Sequence, residues 1–187
     1  KNATKDYCSI ANKHHFDRLV AALDGAVSGG AKIACGGEKN QESLHLSPAV
    51  LTGVKYDNPI MQEEIFGPIL PIIKVKNLEE SINYINNNEK PLALYLFSNN
   101  PSVQSLVLKN TSSGGMVIND CVLHHMNPNL PFGGINNSGV GSYHGKFGFD
   151  AFSHHKAVLK SSPMSPFKIM LPPYTKTKES LANLIKK

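Results

Sequence analysis

Arginine is nearly missing from this sequence: Arg18 is the only one in 187 residues, against eighteen lysines. Readers of DNA and RNA use arginine forks on bases and phosphates, so this scarcity argues against nucleic-acid binding. Cysteine is scarce too. Cys8, Cys35 and Cys121 are odd in number and show no C-x-x-C spacing, which removes a disulfide framework and a zinc knuckle from consideration. No run of 18 apolar residues occurs, so no transmembrane helix is expected. Lys1 to His15 is polar and lacks the apolar stretch of a secretory signal. A reducing, cytoplasmic location is therefore the expectation. Three N-x-S/T sequons, at Asn2, Asn110 and Asn136, are patterns that arise by chance when no export signal accompanies them. The first residue is Lys rather than Met, and the chain is expected to be part of something longer.

What is present is a globular balance, with 41% hydrophobic and 18% charged residues, 15 Gly and 12 Pro. The length suffices for a buried core. The formal net charge of +5 is unevenly placed. Residues 1–150 carry 12 basic and 13 acidic side chains, a net of −1, whereas residues 151–187 carry 7 lysines against Glu179, a net of +6. The tail reads as a solvated segment, its lysines too dispersed to make contact with an anionic membrane its main role.

Periodicity orders the elements. Phe16, Leu19, Val20, Leu23 and Val27 form one helical stripe closed by Gly29-Gly30. Strand-like pieces follow at 32–35 and 44–54. Ile69–Val75 reads as a buried strand. Asn77 then stands three residues before Glu80 as a capping box for a helix faced by Leu78, Ile82 and Ile85. Leu92–Phe97 is a second strand, and Asn100-Pro101 opens a helix with Val103, Leu106 and Val107 inward. Gly115–Ile118 is a third strand. Strand and helix alternating over such short connections predict an α/β fold with βαβαβ units and a parallel sheet. Ligands of such sheets bind beyond the carboxyl ends of the strands. From Asn119 to about Asp150 the chain is expected to be irregular, with a strand at Ala157–Lys160 and a helix at Lys178–Lys186 in the tail.

Two motifs carry chemistry: Met61-Gln-Glu-Glu-Ile-Phe-Gly-Pro68 and Leu130-Pro-Phe-Gly-Gly-Ile-Asn-Asn-Ser-Gly139. Together they resemble the aldehyde dehydrogenase superfamily. Glu89–Ser98, Thr111–Gly115 and Gly141–Lys146 resemble its class 3 and fatty-aldehyde branch, and the likeness runs from about Asp6 to Leu159. It implies that residues 1–150 are the C-terminal part of a catalytic domain and that 151–187 hold an oligomerisation strand and a basic tail. It also implies that Glu64 accepts hydrogen bonds from the nicotinamide ribose and that Phe66 packs near the nicotinamide of NAD or NADP. A carboxylate suits a cis-diol, since it offers lone pairs to two donors. Read without the resemblance, Glu63-Glu64 is a solvated acidic pair ahead of a strand.

The resemblance further implies that Asn119, Val122, His125, Met126 and Phe132 line an aldehyde funnel, with ordinary loop packing the alternative for each. Gly139–Gly145 imitates a dinucleotide fingerprint, but no strand precedes it, so its glycines are assigned to turns and close backbone approach. His144 is read as a hydrogen-bonded loop histidine. The His-His pairs beginning at His14, His124 and His154 are not read as metal ligands, because adjacent side chains point apart. The resemblance puts Cys121 at a packing position, and a thiol hydrolase built on it is the weakest alternative.

In the family, a cysteine thiolate attacks the aldehyde, hydride passes to NAD(P)⁺, and water activated by a glutamate hydrolyses the thioester. The Gly-Gln-x-Cys and Glu-Leu-Gly-Gly segments that supply those groups do not occur here. Both are expected upstream of Lys1. The resemblance therefore implies an NAD(P)-dependent oxidation of medium- or long-chain or aromatic aldehydes for the whole enzyme. It implies inactivity of this chain alone, and a homodimer formed through the strand near Ala157–Lys160. The rival is a non-catalytic module that dimerises with a full-length homologue.

Overall fold

The computed structural model describes residues 7–162, Phe167 and 171–185. The Asn2 sequon, the Asp6 boundary of the resemblance, most of 163–170 and the last lysines of the tail lie outside the described residues. The chain divides into two compact units that meet in sequence at Asn88 and Glu89.

The first unit is built on α1, Lys13–Ser28. Asn12 caps it, its side chain accepting from the His15 amide, which satisfies one of the four free donors of a helix start. Phe16, Leu19 and Leu23 of the apolar stripe are buried, but Val27 is exposed and Ala26 holds the inward position in the last turn. Behind the helix, β1 (Lys32–Cys35), β4 (Ala49–Thr52) and β5 (Ile69–Pro71) form a sheet in the order β1-β4-β5. The β1–β4 pair is antiparallel and the β4–β5 pair parallel, with Ala49 opposite Ile69. Between β1 and β4 lies a small antiparallel pair, β2 (Lys39–Asn40) with β3 (His45–Leu46). The strand-like run 44–54 is thus two strands, broken at Ser47-Pro48 because proline cannot donate to a ladder. Leu19, Leu23, Leu46 and Leu51 are fully buried at the centre of this unit. Each contributes roughly 2–3 kcal/mol by leaving water.

β5 is shorter than Ile69–Val75. Ile72 still donates to Leu51 O at 2.8 Å, but Pro71 has no amide to give and the ladder ends there. α2, Leu78–Asn87, closes the unit with Ile82 buried. Its capping box forms with one change. Asn77 accepts from the Glu80 amide at 2.9 Å, and Glu80 accepts from Lys76 N at 2.8 Å, one residue ahead of the cap.

The second unit holds β6 (Ala93–Leu96), α3 (Pro101–Asn110) and β7 (Gly115–Ile118), a βαβ unit whose two strands pair in parallel, Ala93 opposite Gly115. Asn100 caps α3 by accepting from the Ser102 and Val103 amides. Val107 is buried, whereas Leu106 is exposed, a correction to the expected inner face. The parallel pairing therefore takes the form of two separate pairs, β4–β5 and β6–β7.

After β7 the chain makes two 3-10 turns, Leu123–His125 and Asn136–Ser138, and then a short helix α4, Gly145–Ala151. The helix was not expected from the sequence. Ala157–Lys160 is not a strand: residues 154–162 are irregular and exposed, with Val158 and Leu159 facing solvent. A strand exists only against a hydrogen-bonding neighbour, and among the described residues none pairs with this stretch. In the tail, α5 spans Lys176–Ile185, two residues ahead of the expected start.

Candidate functional site

The Met61–Pro68 motif of the first unit leaves a 3-10 turn, Pro59–Met61, that is anchored by the buried Asn58. Asn58 Nδ2 donates to Ala26 O at 3.0 Å, and its Oδ1 accepts from the Ile60 amide at 3.1 Å. One side-chain amide thereby ties the end of α1 to the start of the motif. At the other end, Gly67 lies so close to α1 that a Cβ there would sit 2.3 Å from Leu19 Cδ2. Arg18, the neighbour of Leu19, reaches the middle of the motif. Its Nη2 donates to Ile65 O at 2.5 Å, its Nη1 lies 3.4 Å from Glu64 O, and the guanidinium stands 3.8 Å from the Glu63 carboxylate.

The result is a loop with a fixed backbone and two presented side chains. Glu63 is the partner of Arg18. The Glu64 carboxylate is exposed, with no hydrogen bond or ion pair among the described residues. Phe66 is 72% exposed and sits at φ 46, a left-handed conformation that non-glycine residues seldom adopt. An acceptor pair without a partner and an unburied aromatic ring are what a ribose diol and a planar ring require of a surface. The first unit also has an open groove of about 410 Å³ beside Tyr56 and Ile73, which includes no residue of this motif.

In the second unit, Asn119 follows the carboxyl end of β7 at φ 62. Its amide donates to Leu96 O at 2.7 Å, its Oδ1 accepts from the Ser98 amide at 2.8 Å, and its Nδ2 donates to Asn99 Oδ1 at 3.1 Å. Asn119 thus clasps the carboxyl ends of the two parallel strands together, and its side chain is occupied in doing so. Val122 is exposed at φ 67, strained for a β-branched residue. His125 Nδ1 lies 2.9 Å from Val122 O, and Met126 is exposed.

Phe132 is half-buried and forms a two-hydrogen-bond bridge with Tyr143, at 3.0 and 2.9 Å. Its ring meets His124, His125, Tyr143 and His144 at centroid distances of 5.4–6.0 Å. Gly133 and Gly134 allow this approach, since a Cβ on either would stand 2.1 Å from a carbonyl oxygen of the facing segment, Gly141 O or Ser138 O. The five funnel candidates therefore differ: Asn119 and Phe132 build the loop, His125 is turned back onto Val122 O and the Phe132 ring, and Val122 and Met126 face outward.

Two readings are corrected. Cys121 is exposed, not packed. Its amide donates to its neighbour Asp120 Oδ1, His125 is turned to Val122 O, and the buried His124 packs edge-on to Tyr95. No histidine hydrogen-bonds its thiol among the described residues, and the arrangement gives no support to a thiol hydrolase. His144 is held by stacking on Tyr143 at 4.5 Å, and its Nε2 is buried without a hydrogen-bond partner among the described residues. The residues missed by sequence reading are Arg18, Asn58 and Gly67. A lone arginine 46 residues ahead of Glu64 leaves no local pattern in the sequence.

Residues 1–158 match the family model described as the aldehyde dehydrogenase family. Rat aldehyde dehydrogenase family 3 member A2 is 47% identical over 180 residues, covering 95% of this chain and 36% of that protein. The rat dimeric, NADP-preferring aldehyde dehydrogenase is 47% identical over 159 residues, covering 85% of this chain and 34% of that protein. Among solved structures, the substrate-bound AldH of Staphylococcus aureus superposes with a TM-score of 0.89 at 42% identity, covering 97% of this chain and 39% of its own. The chain spans about a third of the length of these curated relatives. With two motifs on ordered loops and a family match over most of its length, the chain belongs to the aldehyde dehydrogenase family.

Proposed function

We propose that this chain supplies the nicotinamide-ribose contact and part of the aldehyde path of a class 3-type aldehyde dehydrogenase that uses NAD or NADP to oxidise medium- or long-chain or aromatic aldehydes. The observation that carries the reading is the Glu64 carboxylate, unpaired and presented beside the exposed Phe66 on a loop whose backbone is pinned. NAD(P)⁺ is the hydride acceptor of such a reaction. This chain's own residues bind and orient: Glu64 accepts from the ribose hydroxyls, Phe66 limits the ring's freedom, and Asn119 holds the loop bearing Val122, His125, Met126 and Phe132. Orientation of this kind is a large part of catalysis, because it removes the entropy of aligning reactants.

The nucleophilic cysteine and the general base have no counterpart in these 187 residues. The chain alone is accordingly inactive, and the aldehyde chemistry belongs to a complete polypeptide or to an assembly that provides both groups. The exposed Val158 and Leu159 are the surface on which a second copy would dock as a dimer. A reducing, cytoplasmic location fits three exposed and unpaired thiols. The test is a spectrophotometric assay of NAD(P)H formation with a medium-chain aldehyde. The purified chain gives none, and a complete polypeptide carrying the cysteine segment gives turnover. Turnover by the chain alone overturns the proposal. A complete polypeptide with no turnover favours the non-catalytic module.

A further inference from the structure

We infer that Arg18 is a positioning residue for cofactor binding, its guanidinium fork holding the peptide groups around Glu64 in the geometry that a ribose contact needs. The inference rests on the proposed role of Glu64. Arg18 sits on α1, 46 residues before Glu64, and its side chain is 25% exposed. Nη2 donates to Ile65 O at 2.5 Å and Nη1 to Glu64 O at 3.4 Å, two successive carbonyls. Nη1 also faces Glu63 Oε1 at 3.8 Å, and Nε lies 3.5 Å from His15 Nδ1.

Three consequences follow from that fork. The Ile65 carbonyl is held by a short bond and the Glu64 carbonyl by a longer one, which restrains the direction in which Glu64 leaves the backbone. The Ile65 carbonyl also defines the φ of Phe66, so its anchoring holds Phe66 at φ 46 against the ordinary preference for negative values. Finally, the positive charge is taken up by Glu63, which leaves the carboxylate of Glu64 uncommitted. A lysine has a single point of charge and cannot bridge two carbonyls and a carboxylate in one plane. The adjacent Leu19 packs under Gly67. Successive residues of one helix therefore fix the centre and the end of the motif.

The test uses Arg18→Lys and Arg18→Met, with Glu64→Gln beside them. In the native 187-residue chain, a glutamate-specific endoprotease is timed at Glu63-Glu64 relative to Glu89. The cut ratio is expected to rise at least about fivefold in Arg18→Met and less in Arg18→Lys, since charge-assisted bonds to the loop are lost. In the complete polypeptide, KM for NAD(P)⁺ is expected to rise about tenfold in Arg18→Met, with kcat and the aldehyde KM within about twofold. Should Arg18→Met fail to fold, as judged by circular dichroism, Arg18→Lys keeps the charge and decides the question through both readouts. An unchanged cut ratio and cofactor KM in the folded variants overturn the inference. Glu64→Gln separates the two claims. If it also leaves the cofactor KM unchanged, the ribose reading fails; if it raises KM while the Arg18 variants do not, the role of Arg18 alone fails.

Discussion

Replacing Gly67 by alanine tests whether the motif is truly seated on α1. The added Cβ would lie 2.3 Å from Leu19 Cδ2, 2.6 Å from Cδ1 and 3.0 Å from Cγ. The clash involves the end of a side chain, which could yield on a surface. Leu19 is fully buried among Phe16, Leu23, Leu51 and Ile69, so it has nowhere to go. Overpacking of this kind costs about 1–3 kcal/mol. Leu19→Ala alone should cost about 3–5 kcal/mol, the range for a leucine deleted from a tight core. The double variant joins an extra methyl to a cavity that receives it. Its loss should fall short of the two single losses added together by about 1 kcal/mol or more, the coupling typical of residues in contact. Urea unfolding followed by circular dichroism measures all three. Strict additivity, within about 0.5 kcal/mol, would show that Gly67 and Leu19 do not meet and would refute the packing account.

Further perturbations probe the second loop and the pH response. Asn119→Ala removes two side-chain hydrogen bonds and leaves a Cβ at φ 62, so it should cost about 1–2 kcal/mol, with Asn119→Gly milder; denaturant midpoints decide. Val122→Gly relieves a β-branched residue at φ 67 and should stabilise by up to about 1 kcal/mol, read as a raised melting temperature. The Glu38 carboxyl is held below its ordinary value chiefly by a hydrogen bond from Ser47 Oγ. Its contribution is therefore complete above the ordinary carboxylate value and is lost as pH falls through the lowered one. Ser47→Ala should move the Glu38 NMR titration midpoint upward.

What could be read from the sequence was set by local signals. Asn77 and Asn100 cap the helices they precede through their side chains, as their places in the sequence indicate, whereas the cap at Asn12 was not read there. The stripe of α1 and the exact span of β7 were equally plain. Exposure at Val27 and Leu106 was not, because a helical stripe states which residues share a face but not where the neighbouring strand ends. α4 was hidden by Gly145 and Gly148, poor helix residues. The strand expected at Ala157–Lys160 depends on a partner that local pattern does not encode. At the candidate site, Glu64 and Phe66 stood out through a family motif. Arg18, Asn58 and Gly67 act over distances of 32 to 48 residues or through a missing Cβ, and only the folded geometry brings them to the motif.

The most direct test of the account is the cofactor dependence of Glu64→Gln in the complete aldehyde dehydrogenase polypeptide. Gln keeps the shape of the side chain but loses the charge and one strong acceptor. KM for NAD(P)⁺ should rise about tenfold or more, with the aldehyde KM unchanged, as expected for a lost charge-assisted hydrogen bond. An unchanged cofactor KM would contradict it.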